Sequence, residues 1–318
     1  MNEGKNSKIE RILITGSSGT IGTRLFEKLA DDYSVVGVDK KPNKWDREVN
    51  ENTIIGDLKY KKTFRALPKN IDLVVHLAAN ARVYNLVVNP ELALENFQTL
   101  FRTLEFCRLN NIKKFIFASS REVYGNTEKT IHSEEDAFVQ NCESPYTSSK
   151  IGGETLVHAY QRCYRIDSNI LRFSNVYGMY DESDRVIPLF IKNCKEGKDL
   201  NIFGAKKNLD FTHIDDTING ITSVINQFEN PNVKNQTFNI ASGKGVSIYN
   251  VAQIIKREMK AEVNINVKRN RTGEVVRYVA DITKAREVLG FNPTVDIEEG
   301  IKRSIEWYDQ KNVDKEIL

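Results

Sequence analysis

The 318-residue chain has only four cysteines, and Cys107, Cys142, Cys163 and Cys194 stand far apart, with no C-x-x-C pair and no metal-ligand spacing. That sets aside a disulfide framework and a bound metal, and predicts free thiols in a reducing compartment. There is no apolar run of membrane-spanning length, and the opening stretch Met1–Lys8 is polar, so no membrane span and a cytoplasmic location are expected. Net charge is also scarce. At +3, with lysines and arginines dispersed among the acids, the chain has no basic tract that would imply nucleic acid. Repeats, low-complexity stretches and flexible linkers are missing as well. What remains is the composition of an ordinary soluble protein, 40% hydrophobic and 28% charged, long enough for one large domain or two intimately joined ones.

The stretch that organises the rest runs from Arg11 to Phe26. A short apolar segment passes through Gly16, Gly19 and Gly22 into a helical pattern of Ile21, Leu25 and Leu29, which reads as strand, tight turn, helix. Gly16 and Gly19 would let the backbone turn sharply near a ligand, and Gly22 would let the new helix pack on its strand. The free N–H groups at the helix start, around Thr20 and Ile21, would then face a pyrophosphate. The next strand, Tyr33 to Asp39, ends in a carboxylate about seventeen positions after Gly22. Such a carboxylate binds both adenosine hydroxyls and repels a 2′-phosphate, which favours NAD. Lys40 and Lys41 follow at once and could neutralise that phosphate, which leaves NADP as an alternative.

Downstream, Thr53 to Leu58 reads as a short strand whose Asp57 could reach an adenine and whose Leu58 could cover it. Ile71 to Ala79 and Lys114 to Ser120 are nearly continuous apolar runs, the pattern of parallel strands buried on both faces. The small residues Ala78 and Ala79 would let a ligand lie against backbone. Between those strands, apolar residues from Leu92 to Cys107 recur at helical spacing. Ser144-Pro145 marks another helix start, and Asn169 to Phe173 another strand. Alternating strands and helices predict an α/β fold of Rossmann type, a doubly wound parallel sheet with ligands at the carboxyl ends of its strands. Beyond Gly178 the alternation stops. Residues 1–178 are therefore expected to form the dinucleotide-binding lobe, with a segment near 210–242 returning to it. Residues 179–318 are expected to form mainly a smaller α/β substrate lobe, the two sharing a cleft.

Tyr146 and Lys150 lie four apart on the helix after Ser144, so both project from one face. Tyrosine is a poor base near neutrality, and a nearby ammonium and an oxidised nicotinamide both favour its phenolate. Ser120, at the end of its strand, could bond the same substrate oxygen, with Ser119 as its competitor. The three make a proton relay for an alcohol–ketone step beside a hydride acceptor.

These motifs together resemble the extended short-chain dehydrogenases/reductases, in particular the NAD-dependent nucleotide-sugar epimerases and dehydratases. The likeness runs from Arg11 to about Trp307. Its carriers are Thr15–Gly22, Gly37–Asp39, Gly56–Leu58, His76–Ala79, Asn96, Ser119–Gly125, Tyr146–Lys150, Leu171–Gly178, Asp210–Asp216 and Gly273–Asp281. The resemblance implies that Gly16, Gly19, Thr20, Ile21, Gly22, Asp39, Asp57, Leu58, Ala78, Ala79, Asn96 and Lys150 hold an NAD reduced and reoxidised within one turnover. It implies that Tyr146, Lys150 and Ser120 are catalytic. Ser120, Glu122, Asn175 and Arg277 would meet a nucleotide-diphosphate sugar, with Asn175 and Arg277 at its diphosphate. It also implies a homodimer through the helices near 91–110 and 146–164. Where dehydratases of the family carry an Asp-Glu pair after the serine, this chain has Arg121-Glu122, and arginine cannot deliver a proton. A 4-epimerase is therefore expected. The alternatives are a dehydratase, decarboxylase or 4-keto reductase of the same family, or a non-catalytic NAD-binding regulator. Leu209 stands where relatives present an arginine to the diphosphate, and Lys206 or Lys207 could compensate.

Overall fold

A computed structural model describes residues 8–204 and 206–316, with side chains described to residue 310. Residues 1–7 of the polar opening stretch lie outside the described residues. The buried apolar runs pair into one parallel sheet of seven strands. Across it the order is Thr237–Ile240, Asp167–Phe173, Lys114–Ser120, Leu73–His76, Arg11–Thr15, Ser34–Asp39 and Thr53–Ile55.

Alternation along the strands divides the core in two. Ile12, Ile14, Leu73, Val75, Ile116 and Leu171 face the helices Thr20–Ala30 and Ile214–Asn226. Leu13, Val74, Phe115, Phe117 and Ile170 face Glu91–Leu109 and Pro145–Tyr164. Both faces are covered, which is why these strands read as unbroken hydrophobic runs. Ser144 starts the second of these helices as its spacing suggests, its Oγ accepting from Thr147 N at 3.2 Å with proline in the first turn.

The segment Thr237–Ile240 does join the large sheet, preceded by the helix Ile214–Asn226. The remaining strands build the other lobe. Asn208–His213 is its centre, flanked by Gly245–Ser247 and Arg277–Ala280, with Asn175–Tyr177 pairing along its later residues. Ile131–His132, from the first half of the chain, pairs with Arg277–Ala280. The chain thus crosses between the lobes more than once. A two-stranded parallel pair, Leu200–Phe203 with Ile265–Lys268, completes it. A separate apolar core including Phe190, Ile202, Val251 and Tyr278 holds this lobe together.

Among the described residues, no helix is long and apolar enough to cross a membrane, and no cluster of three or more His, Cys, Asp or Glu could hold a metal.

Candidate active site

The glycine turn leaves the strand Arg11–Thr15 with Gly16 at φ +77°, a conformation that favours glycine. A Cβ there would sit 2.9 Å from the backbone N of Ala78, so the turn and the small-residue end of the neighbouring strand approach each other backbone to backbone. Gly22 has a different part from the expected one. Its Cβ would fall 2.0 Å from Gly16 O, so it lets the helix pack against the turn itself rather than against the strand. Gly19 needs no special backbone conformation, at φ −80° and ψ 171°. No acidic residue stands in the first turn of the helix. Thr20 donates through Oγ1 to Tyr180 O at 3.0 Å, a contact that brings the segment after Gly178 over the turn.

Beside the turn lies a groove of about 170 Å³ lined by Gly16, Gly19, Asp39, Asp57, Leu58, Ala78, Ala79 and Asn96. The structure thus brings together in one groove residues spread over eighty positions. Asp39 accepts from Ser18 N at 3.1 Å and from Lys41 N at 3.0 Å, while burial raises its pKa above the usual carboxylate value. Asn96 holds the loop at Asn80, accepting from its N–H at 2.7 Å and donating to its carbonyl at 3.0 Å.

Ala79 also borders a second cavity of about 280 Å³, which Ile21, Ser120, Tyr146 and Lys150 line from one lobe and Phe203, Lys207, Leu209 and Arg271 from the other. Tyr146 and Ser120 line the same cavity, where Ser120 acts to lower the phenol's pKa. Ser120 Oγ accepts from Glu122 N at 3.2 Å. The competing Ser119 is turned elsewhere, donating to Glu154 Oε1 at 2.5 Å. Lys150 Nζ lies 5.8 Å from the Tyr146 ring centre and donates to Ala118 O at 2.7 Å. Burial pushes the ammonium down to about 8, opposed by the Glu154 carboxylate one turn along the helix. Burial also raises the Tyr146 phenol, and this outweighs the lowering contributed by Ser120, Arg185 and Arg121. The expected phenolate-favouring effect of the lysine is therefore not the dominant influence in the protein by itself.

The remaining expectations divide. Glu122 lines the cavity, 3% exposed, and pairs with Arg121 Nη2 at 2.7 Å. Asn175 lines it too, but both ends of its amide are engaged: Oδ1 accepts from Arg121 Nε at 3.2 Å and Nδ2 donates to Asp210 O at 2.8 Å. Arg277 is not among the lining residues. It is exposed at the start of its strand, where alternation buries Tyr278 and turns Arg277 outward.

Arg271, six positions earlier, does line the cavity. Its guanidinium centre lies 4.0 Å from the Phe203 ring centre and 5.2 Å from that of Tyr84. A turn at Gly273, φ +78°, separates it from the strand. That glycine was the available signal, because residues just before such a turn are free of strand alternation. Lys207 lines the cavity and is paired with Glu274, whereas Lys206 is exposed. Sequence reasoning also passed over Arg82, which pairs with Asp184 at 2.6 Å, and Arg185, which reaches Asp181 at 3.4 Å. Nothing in their local spacing marks them.

The profile of the NAD dependent epimerase/dehydratase family matches residues 12–241. A putative UDP-glucose 4-epimerase of Methanocaldococcus jannaschii is 33% identical, over 95% of this chain and 99% of its own length. A UDP-glucuronate 4-epimerase of Thermodesulfobacterium geofontis is 30% identical, over 93% and 95%. The solved UDP-glucuronic acid 4-epimerase of Bacillus cereus, in complex with UDP-glucuronic acid and NAD, superposes with a TM-score of 0.86 at 29% identity. That match covers 95% of this chain and 99% of the other.

Proposed function

The chain belongs to the NAD-dependent epimerase/dehydratase family, and on that footing we propose that it is an NAD-dependent 4-epimerase of UDP-sugars. The observation that carries the reading is that Tyr146, Ser120 and Lys150, with the tyrosine and lysine on one helix face, line a single cavity that adjoins the glycine groove.

The groove fits the cofactor, since the side-chain-free turn at Gly16 and the small residues Ala78 and Ala79 line it together with the Asp39 carboxylate. Its other end carries the Asp39 carboxylate, which suits ribose hydroxyls and disfavours a 2′-phosphate, so NAD rather than NADP is assigned. NAD held there would supply the chemistry of a reversible hydride acceptor for the sugar's C4. Tyr146 removes the proton of the 4-hydroxyl, and Ser120 bonds the same oxygen and keeps it aligned. Lys150 supplies positive charge near the phenol and holds the nicotinamide ribose. Lys207 and Arg271 meet the diphosphate in place of an arginine at position 209, with Asn175 bracing Arg121 behind the sugar.

In this reading residues 1–178, with the return near 210–242, carry the cofactor, and residues 179–318 carry mainly the substrate. A homodimer is supported by Leu94, Phe97 and Phe101, exposed at 66%, 37% and 41% along one helix. A cytoplasmic location is supported by four cysteines that are all free thiols.

Purified protein incubated without added NAD should interconvert the gluco and galacto forms of at least one of UDP-glucose, UDP-N-acetylglucosamine and UDP-glucuronate. No interconversion across that panel would sink the assignment. Loss of water or carbon dioxide, seen by mass spectrometry, would move it to a dehydratase or a decarboxylase.

A further inference from the structure

Behind the proton relay lies a buried acid that lines neither hollow. Glu154 stands four residues after Lys150, on the same face of the helix Pro145–Tyr164, and is 8% exposed. Both of its oxygens are taken. Oε1 accepts from Ser119 Oγ at 2.5 Å and from Arg172 Nε at 2.9 Å, and Oε2 accepts from Arg172 Nη2 at 2.7 Å. Ser119 and Arg172 are partners across adjacent strands, so the sheet register fixes where the carboxylate sits. Arg172 in turn donates through Nη1 to Tyr124 Oη at 3.2 Å and to Glu134 O at 2.6 Å. Consecutive turns of the helix are thus bonded to consecutive residues of one strand, Lys150 to Ala118 and Glu154 to Ser119.

Stability alone does not account for this network, because a buried ion pair can often be exchanged for apolar residues of similar volume without loss. The charge of Lys150 does account for it. The lysine is buried, with its Nζ 5.1 Å from the Phe117 ring centre, and such surroundings favour a neutral amine. Burial pulls it down to about 8 while Glu154 pulls it back up. The titratable group facing it from the strand Leu73–His76 supplies no countercharge, since burial and the ammonium hold His76 neutral, down to about 3. From the strand Asp167–Phe173 comes Arg172. Burial works against that guanidinium too, yet its bonds to Glu154 keep it protonated far above any working pH. Charges therefore alternate from the sheet towards the cavity, positive at Arg172, negative at Glu154 and positive at Lys150.

We propose that Glu154, clasped by Arg172 and Ser119, is a positioning residue that keeps Lys150 an ammonium and so lets the lysine favour the Tyr146 phenolate. The proposal rests on the 4-epimerase reading for the role of Tyr146 as the base. Glu154 also repels a phenolate, but it lies two helical turns from Tyr146 and one from Lys150, about 12 Å against about 6 Å of helix rise. Its hold on the lysine is the larger effect.

The decisive measurement is ionisation rather than turnover. In the NAD-loaded protein, the ultraviolet absorbance of the Tyr146 phenolate is followed against pH, each variant being blanked against its own Tyr146→Phe form to remove the other tyrosines. Glu154→Gln keeps the shape of the side chain and removes the charge. Lys150 then loses its proton at lower pH, and the Tyr146 midpoint should rise by about one pH unit or more. Ser119→Ala, which removes a hydrogen bond and leaves the charge, should keep the midpoint in place. Breaking a buried pair can unfold a protein, so Glu154→Leu combined with Arg172→Met, which removes both charges at similar volume, should move the midpoint in the same direction. A midpoint unmoved in whichever of these two charge-removing variants folds, or moved equally by Ser119→Ala, overturns the proposal. A midpoint that moves in a protein that epimerises no sugar defeats the 4-epimerase reading and leaves this one standing. Epimerisation with an unmoved midpoint does the reverse.

Discussion

The two adjoining hollows of this protein are made of different materials. The groove assigned to NAD has one side formed by small residues, Gly16, Gly19, Ala78 and Ala79, whose contribution is to take up no room. The sugar cavity, among apolar residues, carries long charged side chains from both lobes, most of them tied to one another in ion pairs. A backbone-lined groove has little freedom to change, because any added atom collides with main chain. A cavity lined by salt-bridged side chains can be refitted by exchanging one partner, as Leu209 and Lys207 illustrate. The contrast explains how one cofactor can serve relatives that act on different sugars.

The contrast can be broken from either side. The largest expected effect is chemical: Tyr146→Phe should lower kcat by about 10²- to 10⁴-fold, the usual worth of a positioned general acid–base. NAD retention, read from the absorbance of the purified protein, should not change, because the phenol belongs to the sugar cavity.

On the sugar side, Arg271→Ala should raise KM about 10-fold or more, whereas Arg277→Ala should stay within about twofold, since only the first lines the cavity. Steady-state kinetics on the preferred substrate decide it. Equal effects would mean that the cavity walls have been drawn in the wrong place.

On the groove side, Gly22→Ala would force a Cβ within 2.0 Å of Gly16 O, whereas Gly19→Ala would meet that oxygen only at 3.3 Å. The first should cost about 1–3 kcal/mol or more by overpacking and release NAD. The second should cost less than about 1 kcal/mol. Thermal melts with and without NAD read both, and equal losses would show that the groove is not limited by backbone contact.

Much of this was legible before any tertiary structure. The turn at Gly16, the Asp39 that ends its strand, the buried strands Leu73–His76 and Lys114–Ser120, and the capped helix that presents Tyr146 and Lys150 all lie where local spacing puts them. The return of Thr237–Ile240 to the large sheet was also legible. The substrate wall was not. Arg277 was expected at the diphosphate from the family resemblance, yet it lies in a strand that turns it outward. Asn175 was expected at the diphosphate from the resemblance alone, and its engagement by Arg121 and the carbonyl of Asp210 was not legible. Spacing cannot reveal a partner that arrives from fifty positions away.

The sequence by itself determined the parts whose requirements are local. A positive φ, a missing Cβ, a helix cap or an i, i+4 pair is specified by neighbouring residues and needs no knowledge of the rest. Only the tertiary structure decided which charges meet in the sugar cavity, because Lys207 with Glu274 and Arg271 with Phe203 are joined by the folding of the second lobe, and Arg82 with Asp184 and Arg271 with Tyr84 by the packing of one lobe against the other. A salt bridge between distant segments depends on where the backbone carries each side chain, and that is a property of the whole fold.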